Sequence, residues 1–203
     1  MIGHRRALLL LLAVLVVTLV GGCMRSDPTR YYVLTEIARS VGAAPAPGRG
    51  AVIGVGPVSL PGYVDRLPIV TRRGAQLEMA EFDRWGEPLS EGVPRAIAAY
   101  LADLLQTERV VVFPWPGVTT LEQQVVVDVS RFDGVVGGDV LLEARWRVLG
   151  SNRKELVLRS STVREATGGS GYPALVAAMN RSLGTLSREI ADSIKMPRTQ
   201  PSR

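Results

Sequence analysis

One thiol, Cys23, and one imidazole, His4, stand in a chain of 203 residues. That pair bounds the chemistry. No intramolecular disulfide can close, no Cys/His zinc site can assemble, and a Ser-His-Asp triad would have His4 as its only base. Serine–lysine chemistry would need Lys154 or Lys195, the two lysines of the chain. Lys154 lies in a polar turn and Lys195 at a helix end, and neither place offers the burial that activates an amine. Carboxylates at Asp65, Asp83, Glu87 and Glu91 could act as acid and base only at a fixed separation. Arg66, Arg84 and Arg95 lie beside them, so ion pairing is their expected state. Ile53-Gly54-Val55-Gly56-Pro57 lacks the third glycine of a phosphate-binding turn, and Pro57 removes an N–H, which reads as a kink at a strand end. Gly168-Gly169-Ser170-Gly171 has no Lys-Ser/Thr after it and reads as a connector. No cofactor or metal is expected.

Cys23 is different because of where it stands. Met1–Arg6 is basic, Ala7–Val20 is an uncharged apolar run, and Gly21-Gly22 precede the thiol. Those are the three parts of an export signal. At ~1.5 Å per residue the 14 apolar residues would span about 21 Å, short of a hydrocarbon layer of about 30 Å. Val20-Gly21-Gly22-Cys23 resembles the lipobox of bacterial lipoproteins, where the sulfur takes a diacylglyceryl group and the new amino terminus is acylated after cleavage. The resemblance implies a covalent lipid on Cys23. Each buried CH₂ adds about 0.8 kcal/mol, so two or three acyl chains anchor stably where one does not. Met24, rather than Asp, follows the cysteine, which by the sorting of such lipoproteins implies the outer membrane, facing the periplasm. Without residues 1–22 the balance is 22 basic against 19 acidic residues. So small an excess makes no case for nucleic acid.

Around these residues the chain divides into elements of distinct pattern. Residues 23–30 read as a lipidated tether, 31–194 as one domain and 195–203 as a tail. Tyr31–Leu34 and Ala51–Val58 are predicted strands flanking a loop at Ala38–Gly50, and Ile69–Arg72 with Gln76–Ala80 a hairpin about Arg73-Gly74. A helix from Ser90 carries Val93, Ile97, Tyr100, Leu101 and Leu104 on one face, with Pro88 and Pro94 assigned to its first turn. A second, from about Pro173 to Ile194, aligns Leu175, Met179, Leu183, Leu186, Ile190 and Ile194. Between them Val110–Phe113, Val125–Phe132, Val140–Leu149 and Leu156–Val163 read as strands, the middle two joined by a hairpin loop at Asp133–Asp139. Alternation with one polar face predicts a single α/β domain of the α+β type, an antiparallel or mixed sheet with two main helices on one face.

Two stretches fit core strands poorly: Leu60–Arg72, with Tyr63, Asp65, Arg66 and Arg72, and Arg84–Leu89, with Trp85 and Glu87. With Trp115, between two prolines, these residues form a candidate interaction surface, since aromatic and Arg side chains dominate interface hot spots. The competing reading has Tyr63 and Trp85 capping the core edge while Asp65 and Arg66 pair locally. The order lipobox, Tyr31-Tyr32-Val33-Leu34, Leu-Pro-x-Tyr-x-Asp-Arg-x-x-Ile-Val-x-Arg, Arg-Trp-x-Glu-Pro-Leu, Pro114-Trp115 and Arg131-Phe132-Asp133-Gly134 resembles the PqiC family of ABC-type transport auxiliary lipoproteins. That resemblance implies a non-enzymatic lipoprotein partnered by an MCE-domain protein in lipid transport across the periplasm, and a ring-like homo-oligomer. Three other classes stay open from the residues alone: a lone lipid carrier with an apolar cavity between helices and sheet, an envelope-assembly scaffold, and a periplasmic hydrolase.

Overall fold

Alternation along the three long strands decides the architecture. In the computed structural model, which describes residues 27–34, 52–115, 117 and 120–195, the elements follow in this order. They are β1 (Arg30–Tyr32), β2 (Ile53–Ser59), β3 (Pro68–Arg73), β4 (Gln76–Trp85), α1 (Leu89–Leu104), β5 (Val110–Val112), β6 (Gln123–Gly134), β7 (Asp139–Gly150), β8 (Glu155–Ala166) and α2 (Tyr172–Lys195). Cys23, the expected export segment, the expected Ala38–Gly50 loop and the expected tail beyond Lys195 lie outside the described residues.

The α+β class, the mixed pairing and the two helices agree with the sequence reading. The strands, however, divide into two sheets instead of one. A five-stranded sheet runs β5-β2-β6-β7-β8 and a three-stranded one β1-β4-β3. β2 pairs in parallel with both β5 and β6, and β1 in parallel with β4, while the remaining ladders are antiparallel. The division has a local cause: β4 continues beyond Ala80 to Trp85, through Arg84 and Trp85, which the sequence reading placed in irregular chain. The added length pairs with β1 and gives the hairpin its own third strand.

On the five-stranded sheet Val125, Val127 and Val129 of β6 and Val140, Leu142, Ala144, Trp146 and Val148 of β7 are buried, and they meet the helices. α1 covers β2 and β5, and α2 covers β6, β7 and β8. Leu175, Leu183, Leu186 and Ile190 of α2 have no exposed surface, and neither do Val93, Ile97 and Leu101 of α1. The same core runs on into Ile69, Val64 and Trp85 of the smaller sheet's side. Trp146 buries its indole and donates from Nε1 to Ser161 Oγ at 2.8 Å, and the serine hydroxyl in turn bonds Glu189 of α2. A buried donor is thereby satisfied in a chain that ties sheet to helix.

Pro94 falls inside α1, not in its first turn, because the helix begins at Leu89. It forgoes the bond that its N–H would have given the Ser90 carbonyl. The two helices touch where Gly184 faces Tyr100. A Cβ at Gly184 would stand 2.8 Å from Tyr100 Cε1, and the phenol is fixed by its bond to the Asn180 carbonyl at 2.8 Å.

β1 is only three residues long and is held by charge. Arg30 donates from Nε and Nη2 to the two oxygens of Asp83, each at 2.8 Å, and Tyr32 Oη donates to Asp83 Oδ1 at 2.7 Å. The partner of Asp83 is thus Arg30, fifty-three positions away, and not the neighbouring Arg84. The Arg30 bonds, opposed by burial and helped by the Tyr32 hydroxyl, hold the Asp83 carboxyl below the usual carboxylate range.

Two outcomes are expected. Gly184→Val should lower unfolding stability by about 1–3 kcal/mol in urea titrations, since the Tyr100 ring has no free direction to retreat. The depressed Asp83 pKa adds stability that is present above about pH 4 and is lost as pH falls through the folded value. Asp83→Asn should therefore flatten the acid limb of a stability-against-pH profile while leaving its alkaline side unchanged in slope.

Candidate functional site

The motif residues of the sequence converge on one carboxylate. Asp133, near the end of β6, has no exposed surface. Tyr63 Oη donates to its Oδ2 at 2.6 Å, Arg72 Nε donates to the same oxygen at 2.9 Å, and Arg131 Nε donates to Oδ1 at 3.0 Å. The Arg72 guanidinium also lies 5.0 Å from the Tyr63 ring centroid, over its face. Each contributor comes from a different place. Tyr63 sits in the turn between β2 and β3, Arg72 near the end of β3, and Arg131 on β6 just past the bulge at Val129/Arg131. A buried carboxylate is tolerated because both oxygens are matched by donors, two of them charged. Burial, followed by the bond to Asp133, raises the Tyr63 phenol above the usual tyrosine range.

The other sequence-named residues are distributed around this centre. Asp65 does not pair with Arg66. Its Oδ1 accepts from the Ser90 backbone N–H at 2.9 Å, which caps α1 from a distant turn, while Arg66 Nε reaches only the Gly62 carbonyl at 3.3 Å. A helix start leaves such N–H groups without partners, and a carboxylate there also suits the helix dipole. Pro88, the residue before the helix, has no side chain able to do this. Glu87 pairs with Arg95 of the same helix, and Glu91 lies 3.9 Å from that guanidinium. Trp85 is 2% exposed and belongs to the core. That corrects its place in an interaction surface: the indole is held beneath the chain at the end of β4 and offers nothing to a partner. Trp115 lies elsewhere, with the tip of its indole over Gly54 of β2 and edge-on to Phe113, ring centroids 5.4 Å apart.

The seven candidates therefore do not make one surface. Tyr63 and Arg72 join Arg131 and Asp133, Asp65 and Glu87 serve the start of α1, and Trp115 covers the opposite flank of the larger sheet. What remains outward on the Leu60–Pro68 turn is Arg66 with Leu67, which is 49% exposed. The sequence reading missed Asp133 as the organising residue. The available signal was an acid flanked by Phe132 and Gly134 at the end of an alternating strand, which the hairpin-loop assignment of Asp133–Asp139 obscured. Chemically the cluster fixes geometry: with each carboxylate oxygen already accepting, Asp133 orients the turn that presents Arg66 and Leu67. Asp133→Ala should cost about 3–5 kcal/mol, leaving two guanidinium groups around a buried gap. Tyr63→Phe should cost about 2 kcal/mol, read in the same unfolding titration.

Comparison with known proteins places this architecture. The solved structures it resembles include the crystal structure of an uncharacterized protein, at TM-score 0.68 and 20% identity over 83% of this chain and 100% of that one. They also include protein XCC0632 from Xanthomonas campestris, of the DUF330 family, at TM-score 0.57 and 17% identity over 79% of this chain and 92% of that one. At such identities the likeness is one of fold. Comparison with curated proteins gives no match. The family model for the ABC-type transport auxiliary lipoprotein component matches residues 32–191, almost the whole of the domain that the Asp133 cluster holds together, and the chain belongs to that family.

Proposed function

We propose that the chain is an outer-membrane lipoprotein facing the periplasm, anchored by acyl chains on Cys23, and that it serves as an accessory subunit of an MCE-type lipid transport system that maintains envelope integrity. The observation that carries this reading is the family match over residues 32–191, standing directly behind a signal segment that ends in the single thiol of the chain. Met24 favours the outer membrane over retention at the inner one. The lipid is covalent, and the reading needs no other cofactor.

The packing favours an accessory role over that of a lone lipid carrier. Side chains between helices and sheet, Leu142, Trp146, Leu183 and Leu186 among them, are at most 1% exposed. They fill the layer where a carrier would hold an acyl chain. In the proposed assembly the turn carrying Arg66 and Leu67, steadied from behind by Tyr63 on Asp133, meets the MCE-domain partner or a neighbouring copy in a homo-oligomeric ring.

The test is made in the producing bacterium. Labelled palmitate should enter the mature chain, and Cys23→Ser should abolish the label and release the chain from sedimented membranes. On density gradients the parent should travel with outer-membrane markers. An MCE-domain protein should copurify with it, and Arg66→Glu with Leu67→Asp should reduce that yield several-fold. A palmitate-free product, or an unchanged yield from the doubly substituted turn, would count against the anchor or the surface respectively.

A further inference from the structure

The strand alternation that buries one face of the five-stranded sheet turns a second set of side chains away from the helices. Cross-strand pairing sets Val126 opposite Arg147, Arg147 opposite Leu158, and Asp128 opposite Arg145. Together these five side chains line an open groove of about 230 Å3 across β6, β7 and β8. Leu158 is 50% exposed; at the other flank of the same face, beyond β2, Phe113 is 49% exposed beside Trp115, whose indole rests above Gly54.

The charges in the groove are unbalanced. Arg145 and Arg147 are both exposed, and among the described residues neither guanidinium makes a side-chain hydrogen bond or an ion pair. Asp128, although opposite Arg145, is instead engaged by Ser59 Oγ at 2.6 Å. On the same face Arg164, by contrast, bonds Asp139. Two free forks next to an exposed leucine and a valine suit an interface centre, where arginine and apolar side chains meet.

We propose that this face docks an acidic amphipathic segment of a partner protein. Residues two apart on a strand are about 6.8 Å apart on one face. That spacing suits carboxylates two positions apart on an extended segment, or four apart on a helix, where Cβ atoms lie about 5–6 Å apart. Each carboxylate then meets one planar guanidinium fork, while neighbouring apolar side chains of the segment lie on Val126 and Leu158. A bilayer is the poorer occupant, because the Asp128 carboxylate would face a uniformly anionic surface, whereas a segment places its acids selectively. The groove is also open, so it receives a segment laid across it. The proposal is independent of the anchor at Cys23 and of the Arg66/Leu67 turn.

The experiment places a photoreactive benzoylphenylalanine at Leu158 in the full chain, within the bacterium that makes it. Irradiation is expected to join it to another protein through a peptide holding two Asp or Glu residues two or four positions apart. Arg145→Glu with Arg147→Glu should cut the adduct about tenfold, equivalent to about 1.4 kcal/mol. Arg145→Lys with Arg147→Lys should retain most of it, and reversing the two acids of the partner to Lys should restore the adduct to the Glu variant. As a check free of any change in folding, raising salt to about 0.5 M in isolated envelopes should weaken the parent adduct, as screening requires. An adduct to lipid or to a second copy of the chain, an adduct indifferent to charge reversal and salt, or no adduct would each overturn the proposal.

Discussion

A carboxylate shut away from water has to be matched by donors, and Asp133 draws its three from Tyr63, Arg72 and Arg131. Those residues belong to a turn, to the smaller sheet and to the larger sheet. Among the described residues the two sheets share no backbone ladder, so the angle between them rests on side chains. Apolar contact supplies cohesion there but little direction. The hydrogen bonds to Asp133 supply the direction, because each fails if the sheets rotate by more than a fraction of an ångström at the bonded atoms.

The same turn has a second fixed point. Asp65, two residues beyond Tyr63, accepts from the Ser90 N–H at the start of α1. Thus a short irregular segment is gripped by β6 on one side and by a helix end on the other. Irregular chain that must keep one shape needs such over-determination, since it has no ladder of its own. The motif density of Leu60–Arg72 follows from this double duty: Tyr63 and Arg72 each donate to Asp133, and Asp65 accepts from the start of α1. The segment can then expose Arg66 and Leu67 in a constant geometry.

Much of this was legible in the sequence. Period-two patterning located β6 and β7, and the 3.6-residue stripe located both helices, because in those elements burial alone selects the residues. The division into two sheets was hidden, since Arg84 and Trp85 close β4 with a charged and an aromatic residue whose pattern suits an irregular segment equally well. Pairing of charges was legible only where it is local, as between Glu87 and Arg95. Asp83 and Arg30, or Asp133 and Arg72, are brought together by topology, and no spacing rule reports that. Trp85 was misplaced for a related reason: an aromatic beside an arginine serves a core edge and an interface equally well, and only burial separates them. Arg145 and Arg147 read simply as the polar face of a strand. Their lack of partners is visible only once the cross-strand neighbours are known.

The placing of β2 has a consequence for the order of assembly. It lies inside the larger sheet between β5 and β6, and the residues it pairs with follow some sixty to seventy positions later, as Ile53 with Val110 and Gln123. Chain closure over such a distance loses entropy before any ladder forms. By contrast β6, β7 and β8 are successive hairpins that can zip locally. A chain emerging amino terminus first therefore keeps its valine- and glycine-rich second strand waiting, both edges open, until the last half has arrived. Unlike the growth of the hairpins, the insertion of that strand has to wait for residues far along the chain.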